Sequence, residues 1–229
     1  MGKARHWLAL GVVGLALQAG GALASVTLWD NGGPASALPG GSLMAGTVQA
    51  EDFTLGFATN LSSVSFWSLQ GGSTDYAGSI YYQIVGNSTG QPGTTVYGSG
   101  QVTPTRTATG NSVFGYTEYR NDFAVAISNL AAGTYWLELN NGPLGTTTLT
   151  DFYWDWTDVG GINSASNRGQ EMETGVASAF TTNDAEHAFL ITGDRVVIVP
   201  PPNGTPEPAS LALTGAALAL LALRRRRAA

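Results

Sequence analysis

A chain of 229 residues with no cysteine must fold without disulfides, and with only two histidines it lacks the usual zinc ligands. Between residues 25 and 199 it carries four arginines, no lysine and fifteen acidic residues, a formal charge of −11. Such a domain repels nucleic acid and anionic lipid, which excludes a nucleic-acid partner and favours a soluble life outside the cell.

The first 24 residues read as a secretory signal peptide. Lys3 and Arg5 give a basic start, Leu8 to Leu17 an apolar helical stretch, and Ala22-Leu23-Ala24 a small-x-small end, so cleavage is expected between Ala24 and Ser25. Residues 25–199 then form the exported domain, a length that supports one hydrophobic core. It is dominated by Thr, Ser, Gly and Asn with aromatic and β-branched residues between them, and no stretch keeps helical periodicity for three turns. Strands are expected near Val26–Trp29, Val48–Leu55, Ser63–Leu69, Ser79–Val85, Thr94–Thr103, Val113–Tyr119, Phe123–Ile127, Thr134–Leu139, Asp151–Trp156 and Glu186–Thr192. Asn87 to Gly93 carries turn chemistry. Ten short strands in one domain imply an all-β fold, an antiparallel, jelly-roll-like β-sandwich, flanked by the signal-peptide helix and a C-terminal hydrophobic helix.

Few residues in this domain suggest chemistry. Strand alternation in Thr134 to Leu139 sends Tyr135, Leu137 and Leu139 inward and Trp136 outward with Thr134 and Glu138. An outward Trp136 either stacks on a sugar ring or is covered by a neighbouring loop, because a bare indole exposes much apolar area. In Asp151 to Asp158, alternation puts Phe152, Trp154 and Trp156 on a packed face. It puts Asp151, Tyr153 and Asp155 on a polar, partly aromatic one that could meet sugar hydroxyls or a cation. His187, in Ala185-Glu186-His187-Ala188-Phe189, reads as a packed or edge histidine. With no Gly-x-Ser-x-Gly elbow, no His-Glu-x-x-His helix, no EF-hand loop and no clear acid pair, no catalytic residue, metal site or cofactor is expected. The expectation is a protein that is not an enzyme. A lectin-like carbohydrate-binding module is the alternative, and a secreted hydrolase using an acid pair a more distant one.

After the domain comes a proline-rich linker, residues 200–208, with five prolines in nine positions, which is extended and semi-rigid. It ends in Pro206-Glu207-Pro208. Residues 209–223 are an uncharged Ala/Leu-rich run, helical at ~22 Å against a hydrocarbon core of about 30 Å, short for a permanent span. Arg224, Arg225, Arg226 and Arg227 open the basic tail, residues 224–229, and hold that end on the cytoplasmic side, so the domain faces across the membrane.

A Pro-Glu-Pro motif, a short apolar helix and an arginine cluster in this order resemble the PEP-CTERM sorting signal of Gram-negative bacteria, a segment also described as the ice-binding protein C-terminal domain. The resemblance covers about residues 206–227. It implies an exosortase-type processing enzyme as partner, a membrane-tethered precursor facing the periplasm, and a mature product on the cell surface or in the extracellular matrix. Asp52-Phe53-Thr54-Leu55, Val64-Ser65-Phe66-Trp67 and Ala132 to Leu139 resemble the strand sequences of extracellular β-sandwich domains ahead of such tails. That second resemblance implies an association with exopolysaccharide and biofilm.

Overall fold

The computed structural model describes residues 25–36, 39–144, 151–158, 170–173 and 179–197. The expected signal peptide with Ala24, the linker with Pro206, Glu207 and Pro208, the hydrophobic helix and Arg224 to Arg227 lie outside the described residues. Among the described residues every regular element is a β-strand, and no helix is long and apolar enough to cross a membrane.

Thirteen strands follow in chain order: β1 (Val26–Asp30), β2 (Gly41–Leu43), β3 (Thr47–Leu55), β4 (Thr59–Gln70), β5 (Ile80–Ser88), β6 (Gln91–Val102), β7 (Thr105–Val113), β8 (Tyr116–Leu130), β9 (Gly133–Asn141), β10 (Phe152–Asp155), β11 (Gln170–Glu173), β12 (Thr181–Thr182) and β13 (Phe189–Arg195). They form two antiparallel sheets. The seven-stranded sheet is organised on β4, which has β8 and then β7 on one side, and β13–β1 and β10–β2 on the other. The six-stranded sheet runs β12-β11-β3-β9-β5-β6.

Alternation decides which face of each strand is buried. In β8, Phe123, Val125 and Ile127 are buried while Ala124, Ala126 and Ser128 are exposed. Leu61, Val64 and Phe66 of β4 join them, as do Phe152, Trp154, Phe189 and Ile191. Phe53, Ile84, Tyr135, Leu137 and Leu139 of the other sheet complete one shared core. Phe66 sits at its centre, edge-on to both Phe123 (6.4 Å) and Trp154 (6.1 Å). Each such ring removed from water contributes roughly 1.5–3 kcal/mol, so without disulfides the two sheets are held by this contact.

Several boundaries differ from the sequence expectation. Val113–Tyr119 was expected as one strand, but a two-residue turn at Phe114-Gly115 breaks it between β7 and β8. The rest runs on through Phe123–Ile127 as a single 15-residue strand. The turn at Asn87–Gly93 narrows to Thr89-Gly90, both with positive φ (54° and 86°), as a two-residue hairpin requires. The short strands β2, β11 and β12, and β7 before its last residue, lie outside the strands expected from the sequence. Their own sequences carry little apolar signal, and partners found elsewhere in the chain make them strands.

Candidate functional site

On the face of the seven-stranded sheet turned away from the core lies a cleft of about 240 Å³. Tyr153 of β10 forms its floor, in register with Leu43 of β2 and Leu69 of β4. It faces outward because its neighbours Phe152 and Trp154 are both buried in the core. The β7–β8 hairpin supplies Phe114 and Tyr116. Phe114 is held at φ 51°, a left-handed backbone that costs a side-chain-bearing residue about 1–2 kcal/mol, and its ring is 80% exposed. Neither feature serves the core. Trp156 makes the far wall, its ring lying over Gly40, where an added Cβ would come within 2.5 Å of Cζ3.

Two of the cleft's aromatic rings are braced by one acid, Asp151. Tyr116 and Tyr153 meet edge-to-face at 5.4 Å, and their hydroxyls approach Asp151 Oδ1 at 3.5 and 3.4 Å. Burial, then the neighbouring Tyr116 and Asp151, push the Tyr153 phenol up to about 12, so it remains a neutral donor. The sequence expectation for Asp151 and Tyr153, a partly aromatic polar face, is therefore where the cleft forms.

Two candidates from the sequence are corrected by the structure. Trp136 does face away from the shared core, as alternation requires, but it is 1% exposed. It packs with Ala50, Val85 and Phe180, and its Nε1–H donates to Asn87 Oδ1 at 3.0 Å. A ring so covered has no face left for a sugar. Asp155 was expected on a solvated face and is instead 1% exposed, with neither carboxyl oxygen hydrogen-bonded. The adjacent Trp156 N–H is taken by the Gly40 carbonyl at 2.9 Å. Burial, reinforced by the charge of Glu118, pushes Asp155 up to about 8, so it is neutral at pH 7 and does not reach the cleft as a free carboxylate. Trp156, expected in the core, is half-buried because β10 ends at Asp155 and the chain turns toward the cleft.

One end of the interior is polar. Ser42, Gln49, Glu51 and His187 are all buried there. His187 is packed, as expected, under the Trp154 ring at 4.6 Å. Its Nδ1 lies 2.7 Å from Glu51 Oε2, and its Nε2 lies 2.9 Å from Ser42 Oγ. The His187 backbone N–H also donates to Glu51 Oε2, at 3.0 Å. A close carboxylate favours imidazolium, but both side chains are fully buried and separated charges there are costly. Desolvation wins and lowers His187 to about 3, against the pull of Glu186 and Glu171, so the ring is neutral, with one nitrogen facing Glu51 and the other Ser42.

A second groove of about 360 Å³ runs along the β5–β6 turn, lined by Asn87, Thr94, Thr95, Tyr97 and Thr134. Like the first, it has no charged side chain in its lining, and it has less aromatic surface. Among the described residues no three His, Asp or Glu side chains converge as metal ligands. Strand alternation alone does not announce Phe114, Tyr116 and Trp156 as site residues. The one available signal was Phe114-Gly115 between Val113 and Tyr116, an x-Gly pair suited to a hairpin tip. No family model matches this chain, and no curated protein matches it.

Proposed function

We propose that this chain is an exported cell-surface or extracellular-matrix protein whose jelly-roll-like β-sandwich binds polysaccharide through the cleft of Phe114, Tyr116, Tyr153 and Trp156. The observation that carries the binding reading is Phe114, strained at a hairpin tip and displayed to solvent beside three further aromatic rings. Flat rings offer the apolar faces of sugars a platform, while the phenol and carboxyl groups around Asp151 offer hydrogen bonds to their hydroxyls. The acidic domain repels polyanions, so the ligand is a neutral or cationic polysaccharide.

Binding is tested by retention on insoluble and soluble neutral polysaccharides. Tyr153→Ala weakens retention about tenfold, or ~1.4 kcal/mol, with the fold intact by circular dichroism. A wild-type protein that retains none of these polysaccharides sinks the binding reading.

The export part rests on the two ends of the sequence, a signal peptide over residues 1–24 and a PEP-CTERM-like tail from Pro206. In this reading an exosortase-type enzyme recognises Pro206-Glu207-Pro208 while the helix of residues 209–223 holds the precursor in the inner membrane. Replacing the three motif residues with alanine leaves a full-length, membrane-held precursor in a pulse-chase experiment. Maturation at the normal rate would refute the sorting role.

A further inference from the structure

Trp156 belongs both to the cleft and to the buried polar end, and it sets the hydrogen-bond order there. Its Nε1–H can only donate, and it donates to Ser42 Oγ at 3.0 Å. The Ser42 hydroxyl proton is then free to point at His187 Nε2, 2.9 Å away. His187 in turn carries its proton on Nδ1, directed at Glu51 Oε2 at 2.7 Å. The order hydroxyl, imidazole, carboxylate is the one that activates a serine for acyl transfer. Three strand segments converge to make it: β2 brings Ser42, β3 brings Glu51, and the residues just before β13 bring His187.

We propose that Ser42, His187 and Glu51 form an esterase centre that removes short O-acyl groups from the polysaccharide held in the adjacent cleft. The substrate class rests on the cleft reading above. The acyl group is short because Ser42 is 8% exposed and the Trp156 indole stands between it and the cleft, so entry requires a movement of that ring. Asn183 Nδ2, which donates to Gln49 Oε1 at 2.7 Å, lies 3.5 Å from Ser42 Oγ and is the side-chain donor left beside an oxyanion formed there once Trp156 has moved.

In the first half-reaction Ser42 Oγ bonds to the acyl carbon and its proton moves to His187 Nε2. The bond from that carbon to the sugar oxygen breaks, and the sugar oxygen takes the proton. In the second half-reaction water attacks the acyl-serine, giving its proton to His187, which returns it to Ser42 Oγ as the carboxylic acid departs. Ester and water become alcohol and acid, with no further reactant. Glu51 is a positioning residue that keeps His187 in the Nδ1–H tautomer and faces the imidazolium, which burial disfavours in the closed site and which forms once Trp156 has moved and water has entered with the substrate.

The test uses the purified exported protein, a serine-directed fluorophosphonate and p-nitrophenyl acetate. Wild type acquires one adduct, mapped to Ser42, and hydrolyses the ester; Ser42→Ala does neither. Glu51→Gln, with its fold confirmed by circular dichroism and kcat referred to the folded fraction, lowers kcat about a hundredfold or more with KM within about twofold. No adduct on the wild-type protein overturns the proposal, whatever the variants do. Ester turnover at Ser42 without polysaccharide retention keeps the nucleophile and retires the cleft. Retention without an adduct keeps the cleft and retires the esterase.

Discussion

Trp136→Ala destabilises the domain by about 3–5 kcal/mol, the usual cost of truncating a fully packed tryptophan, and leaves polysaccharide retention by the folded fraction unchanged. The indole is 1% exposed on the outer side of the six-stranded sheet, in register with Asp52 of β3 and Val85 of β5. Its partners Ala50 and Val85 are small and anchored in the sheet, so they cannot close over the void. Asn87 Oδ1 also loses its donor. Urea denaturation gives the midpoint shift, and pull-down at a temperature where the variant remains folded gives the binding. An unshifted midpoint with binding abolished would mean the ring works at the surface, and the cleft would then be the wrong site.

Asp155 makes stability fall as pH rises from about 4 to about 8, a fall that the buried neutral His187, held near 3, opposes up to about pH 6.5. Unfolded, this carboxyl ionises near its ordinary value of 3.8; folded, burial and Glu118 hold it near 8. Between those values the folded state binds more protons than the unfolded one, so each pH step favours unfolding. The full loss is roughly 4–6 kcal/mol. Glu138, pushed up to about 7 by burial, adds a smaller loss of the same sign between about pH 4.5 and 7. Asp155→Asn keeps the shape and removes the titration. It matches wild type below about pH 4, exceeds it increasingly up to pH 9, and retains the slopes of Glu138 and His187, which oppose each other between about pH 4.5 and 6.5. Denaturation midpoints at pH 5, 7 and 9 decide the matter: parallel slopes for wild type and variant would show that Asp155 ionises freely in the folded protein.

Alternation made the strand faces legible in the sequence. Phe152 and Trp154 inward with Tyr153 outward, or Tyr135 and Leu137 inward with Trp136 outward, needed only the period of two. The all-β class followed from short apolar runs between turn residues. What covers an outward side chain is a different question, because covering comes from segments far along the chain. Phe180 and Asn87 bury Trp136, and nothing near position 136 announces either. Asp155 and Trp156 likewise departed from their expected faces because β10 ends between them and its neighbours β2 and β4 set the surroundings.

The export and sorting reading proposed for the two ends rests on order and composition alone and needs no fold. The character of the interior was also determined locally: no cysteine, an excess of acid, and apolar residues at strand spacing. The chemistry was not. Ser42 and His187 are 145 residues apart, and Glu51 and His187 are 136 apart, yet they share hydrogen bonds of 2.9 and 2.7 Å. Antiparallel pairing carries β2, β3 and the approach to β13 to one end of the two sheets, and the same packing folds the β7–β8 hairpin beside Tyr153 and Trp156. Sequence separation carries no information about such meetings, since they are set by which strands neighbour one another and in what register.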